Sequence, residues 1–578
     1  MFRFSVRSNR ANLINWREWG TEAFEEAQQQ GKLVALFITA FWCGFCQRMD
    51  ETALSDDDVI TLLNGFFIPI RVEESQRPDV DLRYNQNGWP TITVLTPDGG
   101  QLFTVNYMDT EPFANILART VNLYKEDKKA LLSSASPVHA SAGGQQDEED
   151  RAPLGPPLVA EIAGIVEGLA DQENGGFGTQ FKFLHSEAND FFLYLHEATG
   201  ESTYLNHVTF SLDKLRRSPT FDAQDGGFFR YSSKPDWSEP HPEKLLEDQA
   251  SLLRTFLRAY LCTGDESQQD TAIMLIDYMD TTLWNESQRA FHGCQDYVRE
   301  SSGANQTGPM ISVIDEYIYC DANAKAASAY LDAWWILGRE DCLDRAELAL
   351  DSLWQNLRAT GGGMYHYADG QPHGPGMLTD AVAAGAAFLD AFTVLERQTY
   401  LERAKEMAME IKKIHRSEQG GFLDICQTGP GNLQIPIAVL TQNAQTASFF
   451  VRLADLTGDL SYRQQAVWAL KNFPNSHRQF GAFAAGFGHA LGRLLALPLS
   501  VTIIGEPGSQ DVRSLAKAAL TRMVHGDLVL RFRRGSGKEP AKADFQVGDR
   551  LVASIADADQ ITQERIRHLV QSSGLTGC

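Results

Sequence analysis

The stretch "LVALFITAFWCGFCQRMDETAL", residues 33–54, decides the fold of the first part of the chain. An apolar run ends at Trp42, and two cysteines, Cys43 and Cys46, follow with two residues between them. A buried strand that leads into a helix beginning at such a pair is typical of a redox dithiol. Half of a metal site and a structural disulfide are the alternatives that this spacing leaves open.

The chemistry of a dithiol fits the positions of both cysteines. At the start of a helix, the helix dipole and unpaired backbone N–H groups stabilise a thiolate, so Cys43 is the candidate attacking sulfur. Cys46 lies one turn further along the same helix face and can resolve a mixed disulfide. Trp42 and Gly44 are expected to leave the first sulfur exposed. Zinc needs a second ligand pair, and no further cysteine occurs before Cys262.

The pattern around the dithiol predicts an α/β domain over residues 1–132. Its elements are a helix at 20–30, strands at 33–39 and 66–72, the strands "TITVLT" and "LFTVNY" joined by "PDGG", and a helix over 111–132. This order is that of a thioredoxin-like βαβ unit followed by ββα. Residues 133–157, rich in Ser, Ala, Gly, Pro and acidic residues, predict a flexible linker.

The pattern changes beyond the linker, where helical periodicity alternates with glycine clusters over residues 158–497. The clusters include "GGFG", "GGFF", "GGGMY" and "GGF", and their spacing leaves room for two helices each. Five or six such helical hairpins predict a closed, all-α (α/α)6 toroid, and an open α-solenoid is the alternative. Residues 498–578 begin with "LSVTIIGE" and predict a small α/β appendage.

Composition narrows the range of partners. The chain has 578 residues and a formal net charge of -24, which disfavours binding to nucleic acid and to anionic membranes. We found no run of 18 apolar residues and no apolar core of a secretion signal near the start, so a cytoplasmic protein is expected. Eight cysteines are too few for a disulfide framework in a chain of this length.

Two motifs resemble those of thioredoxins. "FWCGFC" is similar to their active-site motif, with Phe45 in place of the usual proline, and "GWPT" resembles the loop that holds their cis-proline. The resemblance implies a cis bond before Pro90, with the backbone of Trp89 presented to an extended substrate beside Trp42 and the sulfurs. The buried acid that thioredoxins carry before the motif falls at Phe37, so the resemblance supplies no proton acceptor for Cys46.

A second resemblance covers most of the chain. "NLINWREWGTEAFEEAQQQGKLVAL", "RVEESQRPDVD", "NGWPTITVLTPDG" and "GGFFRYSSKPDWSEPHPEKLLEDQASLL" are similar to segments of the spermatogenesis-associated thioredoxin-like family. The resemblance implies a thioredoxin-like domain fused to an (α/α)6 toroid, similar in fold to N-acylglucosamine 2-epimerases and six-hairpin glycosidases. It implies architecture more directly than it implies a reaction.

Several polar residues are candidates for a binding site in the toroid. They are Arg230, His241, Glu243, Asp248, Asp321 and Asp380. Asp225, Asn323 and His366 are further polar residues at positions where inner helices or turns are expected. Asp248 follows Lys244 at a spacing that favours an ion pair on a helix. Helix capping is the alternative for the acids, since Asp321 and Asp380 lie where small-residue helices begin. We expect no metal ligands and no cofactor.

These observations lead to two main hypotheses. The first is a thiol–disulfide oxidoreductase domain fused to a toroid that binds or processes carbohydrate, which requires paired carboxylates or other acid–base groups. In the second, the toroid is a protein-recognition platform that brings a disulfide client or a reductant to Cys43 and Cys46. A scaffold in which both sites are inactive is the third possibility, suggested only by Phe37.

Overall fold

The computed structural model describes residues 2–136, 153–299, 309–473, 475–506, 509–522, 528–535 and 540–572. The chain divides into two compact units. Unit 1 contains Met1–Gly144, Gln295–Asp315 and Asp424–Ile437, and unit 2 contains Gln145–Cys294, Glu316–Leu423 and Ala438–Cys578. Most of the predicted linker, residues 137–152, lies outside the described residues.

Unit 1 has the predicted thioredoxin-like fold. Its strands are β1 (Leu33–Thr39), β2 (Phe67–Glu73), β3 (Thr91–Leu95) and β4 (Gln101–Val105), in the order β2-β1-β3-β4. Strand β1 is parallel to β2 and antiparallel to β3. The helices are α1 (Thr21–Gln30), α2 (Gly44–Glu51), α3 (Asp57–Phe66), α4 (Pro78–Tyr84), α5 (Thr110–Glu126) and α6 (Lys128–Ser133).

The central strand β1 is buried along its whole length, which explains its continuous apolar sequence. Phe37 packs edge-on against Trp16 at a ring separation of 5.0 Å and against Phe113 at 6.0 Å. The position at which thioredoxins carry an acid therefore belongs to an aromatic core here. On the other face of the sheet, Trp19 and Tyr84 pack with the remaining apolar residues of β1.

Two segments from later in the chain complete unit 1. Segment 424–437 is held by Arg83, which donates to the Asp424 carboxylate at 2.6 Å, and by Tyr84, whose hydroxyl accepts the N–H of Asn432 at 2.7 Å. Segment 295–315 carries most of β10 (Cys294–Arg299) and the whole of β11 (Met310–Asp315), which are neighbours in one sheet. Sequence periodicity gave no sign that these segments belong with the thioredoxin-like domain.

The described residues of unit 2 between 156 and 495 form twelve long helices. They are α7 (Pro156–Glu167), α8 (Ser186–Thr199), α9 (Ser202–Arg216), α10 (Leu246–Thr263), α11 (Glu266–Tyr278), α12 (Cys320–Leu337), α13 (Glu340–Asn356), α14 (Leu378–Leu395), α15 (Gln398–Glu410), α16 (Leu440–Thr457), α17 (Ser461–Leu470) and α18 (Ala485–Leu495). The inner helices are α8, α10, α12, α14, α16 and α18; each contacts the next, and α18 contacts α8. The helices therefore close into an (α/α)6 toroid, as predicted, and the open solenoid is wrong.

Short strands lie in the turns between these helices. They are β5 (Lys182–Phe183), β6 (Tyr231–Ser232), β7 (Lys244–Leu245), β8 (Trp284–Asn285), β9 (Ala290–Phe291), β12 (Ile318–Tyr319), β13 (Tyr365–Ala368) and β14 (Pro372–Pro375).

A repeated amide clasp joins inner helices to the turns that precede them. In three inner helices the fourth residue has a fully buried side-chain amide. The amide oxygen accepts the backbone N–H of a phenylalanine, and the amide nitrogen donates to the backbone carbonyl of the same phenylalanine, at 2.7–2.9 Å. The pairs are Gln249 with Phe228, Asn323 with Phe291, and Asn443 with Phe422. Asn323, which the sequence suggested as a polar residue of the binding site, is therefore a structural residue.

We expect Asn323→Leu to lower the free energy of unfolding by about 2–4 kcal/mol, because the buried N–H and carbonyl of Phe291 both lose their partner. Chemical denaturation of the full chain measures this change. Asn189→Leu is the matched control: Asn189 is also the fourth residue of an inner helix, but it donates only at 3.4 and 3.5 Å. An equal loss in both variants would contradict the role of the clasp.

The C-terminal part of unit 2 is the predicted α/β appendage. It contains β15 (Leu499–Gly505), α19 (Gln510–Arg522), β16 (Leu528–Arg534), β17 (Lys542–Val547), β18 (Arg550–Ile555) and α20 (Gln563–Ser572). The strand order is β16-β15-β17-β18, with β15 parallel to β16 and antiparallel to β17. This is the topology of the sheet in unit 1. The sequence between β15 and α19 contains no cysteine, so the second sheet carries no dithiol.

Helix α14 is long and apolar enough to cross a membrane, by length and composition alone. More than half of it is buried in protein, and it contacts the inner helices α12 and α16. A core helix of a folded domain meets the same two criteria.

Candidate functional site

The two cysteines lie at the start of α2, where a disulfide bond joins them. Cys43 is the N-cap residue, and its Sγ accepts the backbone N–H of Cys46 at 3.0 Å. An N–H donor and a helix N-terminus both favour a thiolate at this position. The expected exposure of the first sulfur is wrong: Cys43 is 6% exposed and Cys46 is 3% exposed, because the N-cap side chain folds back over the first turn.

The Pro90 loop lies beside the dithiol. The Trp89–Pro90 bond is cis, as the resemblance to thioredoxins implied. Trp89 packs edge-on against Trp42 at a ring separation of 5.0 Å, and its indole N–H donates to Asp81 at 2.9 Å. Asn106 donates to the carbonyl of Pro90 at 3.1 Å. These contacts join the Pro90 loop to Trp42, the residue before Cys43.

A small cavity of about 40 Å³ lies next to Cys46. Its walls are Arg3, Phe4, Ser5, Val6, Thr39, Ala40, Phe41, Cys46, Gln47, Asp50, Arg71, Glu73 and Val313. One water molecule needs roughly 10–15 Å³ and two or more polar partners. The cavity is large enough and polar enough to hold water beside the second sulfur.

A buried ion pair forms one wall of this cavity. Arg71 donates to both carboxylate oxygens of Asp50, at 2.8 and 2.9 Å, and the backbone N–H of Ser5 donates to Asp50 at 3.0 Å. The two side chains are 5% and 2% exposed. Burial raises the pKa of Asp50, although the Arg71 guanidinium opposes the shift. This pair ties α2 to β2 directly behind the dithiol.

The second candidate site lies at the N-terminal ends of inner helices in unit 2. We define the ring cluster as Glu187 of α8, Glu247 and Asp248 of α10, Asp321 and Lys325 of α12, Asp380 of α14, and the nearby Arg230 and His366. Electrostatic interactions connect Asp248 to Glu187, Glu247, Arg230 and Lys325. The structure therefore brings together four of the residues predicted for this site: Arg230, Asp248, Asp321 and Asp380.

The remaining two predicted residues lie beside Arg230. Glu243 is 2% exposed, and its carboxylate is 3.8 Å from the Arg230 guanidinium. The ring of His241 stacks on Tyr231 at 4.1 Å. His241 and Glu243 therefore support the segment that carries Arg230.

The carboxylates of the ring cluster differ in their pKa values. Burial and the charge of Glu247 raise the pKa of Asp248 to about 7, and burial raises the pKa of Glu187. The ammonium group of Lys325, 2.7 Å from Glu247, lowers the pKa of Glu247. Near neutral pH, Asp248 can donate a proton while Glu247 stays ionised. Neighbouring carboxyl groups with separated pKa values also occur in some acid–base catalysts.

His366 and Asp380 form a buried pair in the same cluster. Nδ1 of His366 lies 3.0 Å from each oxygen of the Asp380 carboxylate, and burial raises the pKa of Asp380 to about 6. Asp321 joins them, with its ligand atom within 4.8 Å of theirs. Carboxylate oxygens and an imidazole nitrogen are suitable ligands for a divalent cation. Both Asp380 oxygens already face the imidazole of His366, however, and a carboxylate in this position typically orients the histidine. The absence of a metal stays a prediction.

Two sequence-based interpretations of this region are wrong. Asp321 and Asp380 are not N-caps: Tyr319 and Met377 occupy those positions, and the two aspartates lie within the first turns of their helices. Lys244 does not pair with Asp248. Its ammonium group donates to Asp222 at 2.6 Å, in the preceding glycine turn.

Sequence patterns did not identify Glu247, Lys325 and Glu187 as residues of this site. The spacing of Asp321 and Lys325, four residues apart on one helix face, was the available signal for Lys325. Glu187 and Glu247 carry no comparable local signal, because only the closure of the toroid brings α8, α10 and α12 together.

Comparison with known proteins supports the predicted resemblance. Residues 5–142 match the family described as "Thioredox_DsbH: Protein of unknown function, DUF255". The chain is 28% identical to spermatogenesis-associated protein 20 of Homo sapiens in an alignment of 308 residues that covers 49% of this chain and 39% of the relative. It is 29% identical to the Mus musculus protein over 311 residues, with the same coverage. The match spans well under half the length of these relatives. The predicted resemblance to the spermatogenesis-associated thioredoxin-like family is confirmed.

Three solved structures resemble part of this chain. A sugar epimerase from a ruminal bacterium has a TM-score of 0.46 and 16% identity, covering 55% of this chain and 87% of its own. The cellobiose 2-epimerase of Bacillus thermoamylovorans has a TM-score of 0.45 and 14% identity, covering 54% and 86%. A family 76 glycoside hydrolase (mannosidase) of Bacteroides thetaiotaomicron has a TM-score of 0.44 and 12% identity, covering 59% and 98%.

Proposed function

We propose that this relative of the spermatogenesis-associated thioredoxin-like proteins is a thiol–disulfide oxidoreductase, in which Cys43 attacks and Cys46 resolves. The observation that carries the proposal is the Cys43–Cys46 bond at the N-terminus of α2, beside the Trp89–Pro90 loop. The substrate class is a disulfide-bonded protein client, and a small dithiol or a dithiol protein is the reductant.

The reaction conserves atoms and electrons. The Cys43 thiolate attacks a client disulfide, forms a mixed disulfide and releases one client thiolate. Cys46 then attacks Cys43, releases the second client thiolate and closes the Cys43–Cys46 bond. The client gains two electrons, the dithiol loses two, and a dithiol reductant restores the reduced enzyme.

The experiment mixes the reduced full-length chain with an aromatic disulfide whose thiolate is coloured. A working dithiol releases two thiolates per chain above the background of a variant with both Cys43→Ser and Cys46→Ser: one on attack and one on resolution. A yield no greater than this background would contradict the proposed function. The five other described cysteines are present as thiols, which fits our proposal that the protein works in a reducing compartment such as the cytoplasm.

For the toroid we propose a second site that binds a small polyhydroxylated ligand such as a sugar. The specific observation in favour is the pKa separation between Asp248 and Glu247, next to the cationic groups of Arg230 and Lys325. Glu247 is 45% exposed and within reach of a solute. Hydroxyl groups can donate to the ionised carboxylate and accept from the two cations and the protonated acid.

We expect a thermal-shift screen of mono- and disaccharides to identify a ligand that stabilises the full chain and fails to stabilise Asp248→Asn. At 100 times its dissociation constant such a ligand adds about 2.7 kcal/mol of apparent stability. Asp270→Asn, on the outer helix α11, is the control that should bind normally. If no sugar stabilises the wild type, the protein-platform hypothesis for the toroid is favoured instead.

A further inference from the structure

The resolving sulfur needs a group that accepts its proton. Cys46 is 3% exposed, so bulk water does not reach it freely. The place where thioredoxins carry a buried acid is occupied by Phe37, whose ring is packed between Trp16 and Phe113. A different polar group must therefore take the proton when Cys46 becomes a thiolate.

Glu73 reaches the same cavity from the next strand. It is the last residue of β2 and pairs in register with Thr39 at the end of β1, just before the dithiol loop. It is 9% exposed and forms a wall of the cavity together with Cys46. Its carboxylate accepts the N–H groups of Phe41 at 2.9 Å and Gln76 at 3.1 Å. These bonds leave one lone pair on each oxygen for water in the cavity.

The charges around Glu73 come from three elements. Glu74 follows it in the chain, Asp315 lies on β11, and Arg3 lies on the N-terminal segment, donating to Asp315. The Asp50–Arg71 pair forms another part of the cavity wall. The two acids oppose ionisation of Glu73, and Arg3 favours it.

Two other buried acids in unit 1 are less suited to this role. Asp50 accepts two hydrogen bonds from Arg71 and one from Ser5, so most of its lone pairs are occupied. Asp296 is 2% exposed and accepts a hydrogen bond from the Gln47 amide of α2 at 3.3 Å. It does not form part of the wall of the cavity beside Cys46.

We propose that Glu73, acting through water in the cavity beside Cys46, accepts the proton of the Cys46 thiol during resolution and returns it when the dithiol is reduced again. This inference rests on the proposed oxidoreductase function. The Cys46 proton passes through water to the Glu73 carboxylate, which becomes a carboxylic acid. The Cys46 thiolate then forms the bond to Cys43, and the second client sulfur leaves as a thiolate.

The protonation behaviour of Glu73 supports this role. Burial, with the charges of Glu74 and Asp315, raises the pKa of Glu73 to about 8. A base whose pKa lies near the working pH transfers protons most effectively, because it is both available and basic enough.

The test uses the two thiolates that the aromatic disulfide releases from the reduced full-length chain. The first phase reports attack by Cys43, and the second reports resolution by Cys46. We expect Glu73→Gln to leave the first phase unchanged and to slow the second about a hundredfold near pH 7, the loss typical of a missing general base. In Glu73→Gln the rate of the second phase should recover only at higher pH, where the Cys46 thiol ionises without a general base.

Glu74→Gln is the matched control, since it removes a neighbouring negative charge but keeps the acceptor. Its second phase should remain fast and its pH profile should move to lower pH, because the pKa of Glu73 falls. An unchanged second phase in Glu73→Gln, or an equal loss in Asp296→Asn, would overturn the assignment. A missing first phase in the wild type would instead refute the oxidoreductase function itself.

Discussion

Cys43→Ser should slow disulfide reduction by about a thousandfold or more, since a serine hydroxyl at neutral pH cannot replace the thiolate nucleophile. The helix N-terminus and the N–H of Cys46 both act on the sulfur of Cys43, so no other described cysteine has the same environment. Steady-state reduction of an aromatic disulfide with a dithiol reductant measures the loss.

Cys46→Ser should behave differently from Cys43→Ser. Attack by Cys43 still occurs, but the mixed disulfide is not resolved, so the variant retains one client or one aromatic thiol per chain. Mass spectrometry of the intact protein detects the added mass, and digestion places it on Cys43. An adduct on another cysteine with none on Cys43, or full turnover without Cys46, would show that the roles of the two sulfurs are assigned wrongly.

The second large effect is expected at the Asp50–Arg71 pair. Arg71→Met should destabilise unit 1 by about 3–5 kcal/mol, because it leaves a buried carboxylate without its cation. Hydrogen exchange of peptides from β1 and β2 reports this local loss. The loss should be smaller near pH 5 than near pH 8, since the unpaired Asp50 can then fold protonated.

A double variant distinguishes the contribution of the charges of Asp50 and Arg71 to stability from the contribution of their packing. Arg71→Met combined with Asp50→Leu removes both charges, and it should recover most of the stability because neither buried group is left unpaired. Arg71 also lies over the rings of Phe4 and Trp16, at 4.7 and 5.6 Å, and methionine retains part of that contact. If the double variant is as unstable as Arg71→Met, the packing of Arg71 matters more than its charge.

The parts of the fold that local patterns encode were predictable from the sequence. The dithiol, its helix and the cis-Pro90 loop follow from short motifs, and the toroid follows from helical periods and glycine turns. The C-terminal strands were harder to detect: β17 alternates buried and half-buried residues and β18 has a single buried residue, so neither has the buried apolar run that marks β1. Their sheet order was therefore visible only in the structure.

The candidate sites were less predictable because their residues meet through tertiary structure. Glu73 approaches Cys46 only through the parallel pairing of β1 and β2, across 27 residues of sequence that carry no shared motif. Lys325 and Glu247 meet because α10 and α12 are neighbours in the toroid. Asn323 was misinterpreted for a related reason: a buried amide that clasps a turn and one that binds a ligand have the same sequence pattern.

The closure of the toroid also constrains how it is made. Its first helix, α7, packs against α18, the last of the twelve. Each of the other outer helices packs against the inner helix that immediately precedes it in the chain. During synthesis each of those hairpins can therefore form as it leaves the ribosome, but α7 keeps an apolar face uncovered until the far end of the toroid has been translated. The apolar face of α7 that α18 later covers is therefore the part of the toroid that remains exposed to chaperones for the longest time.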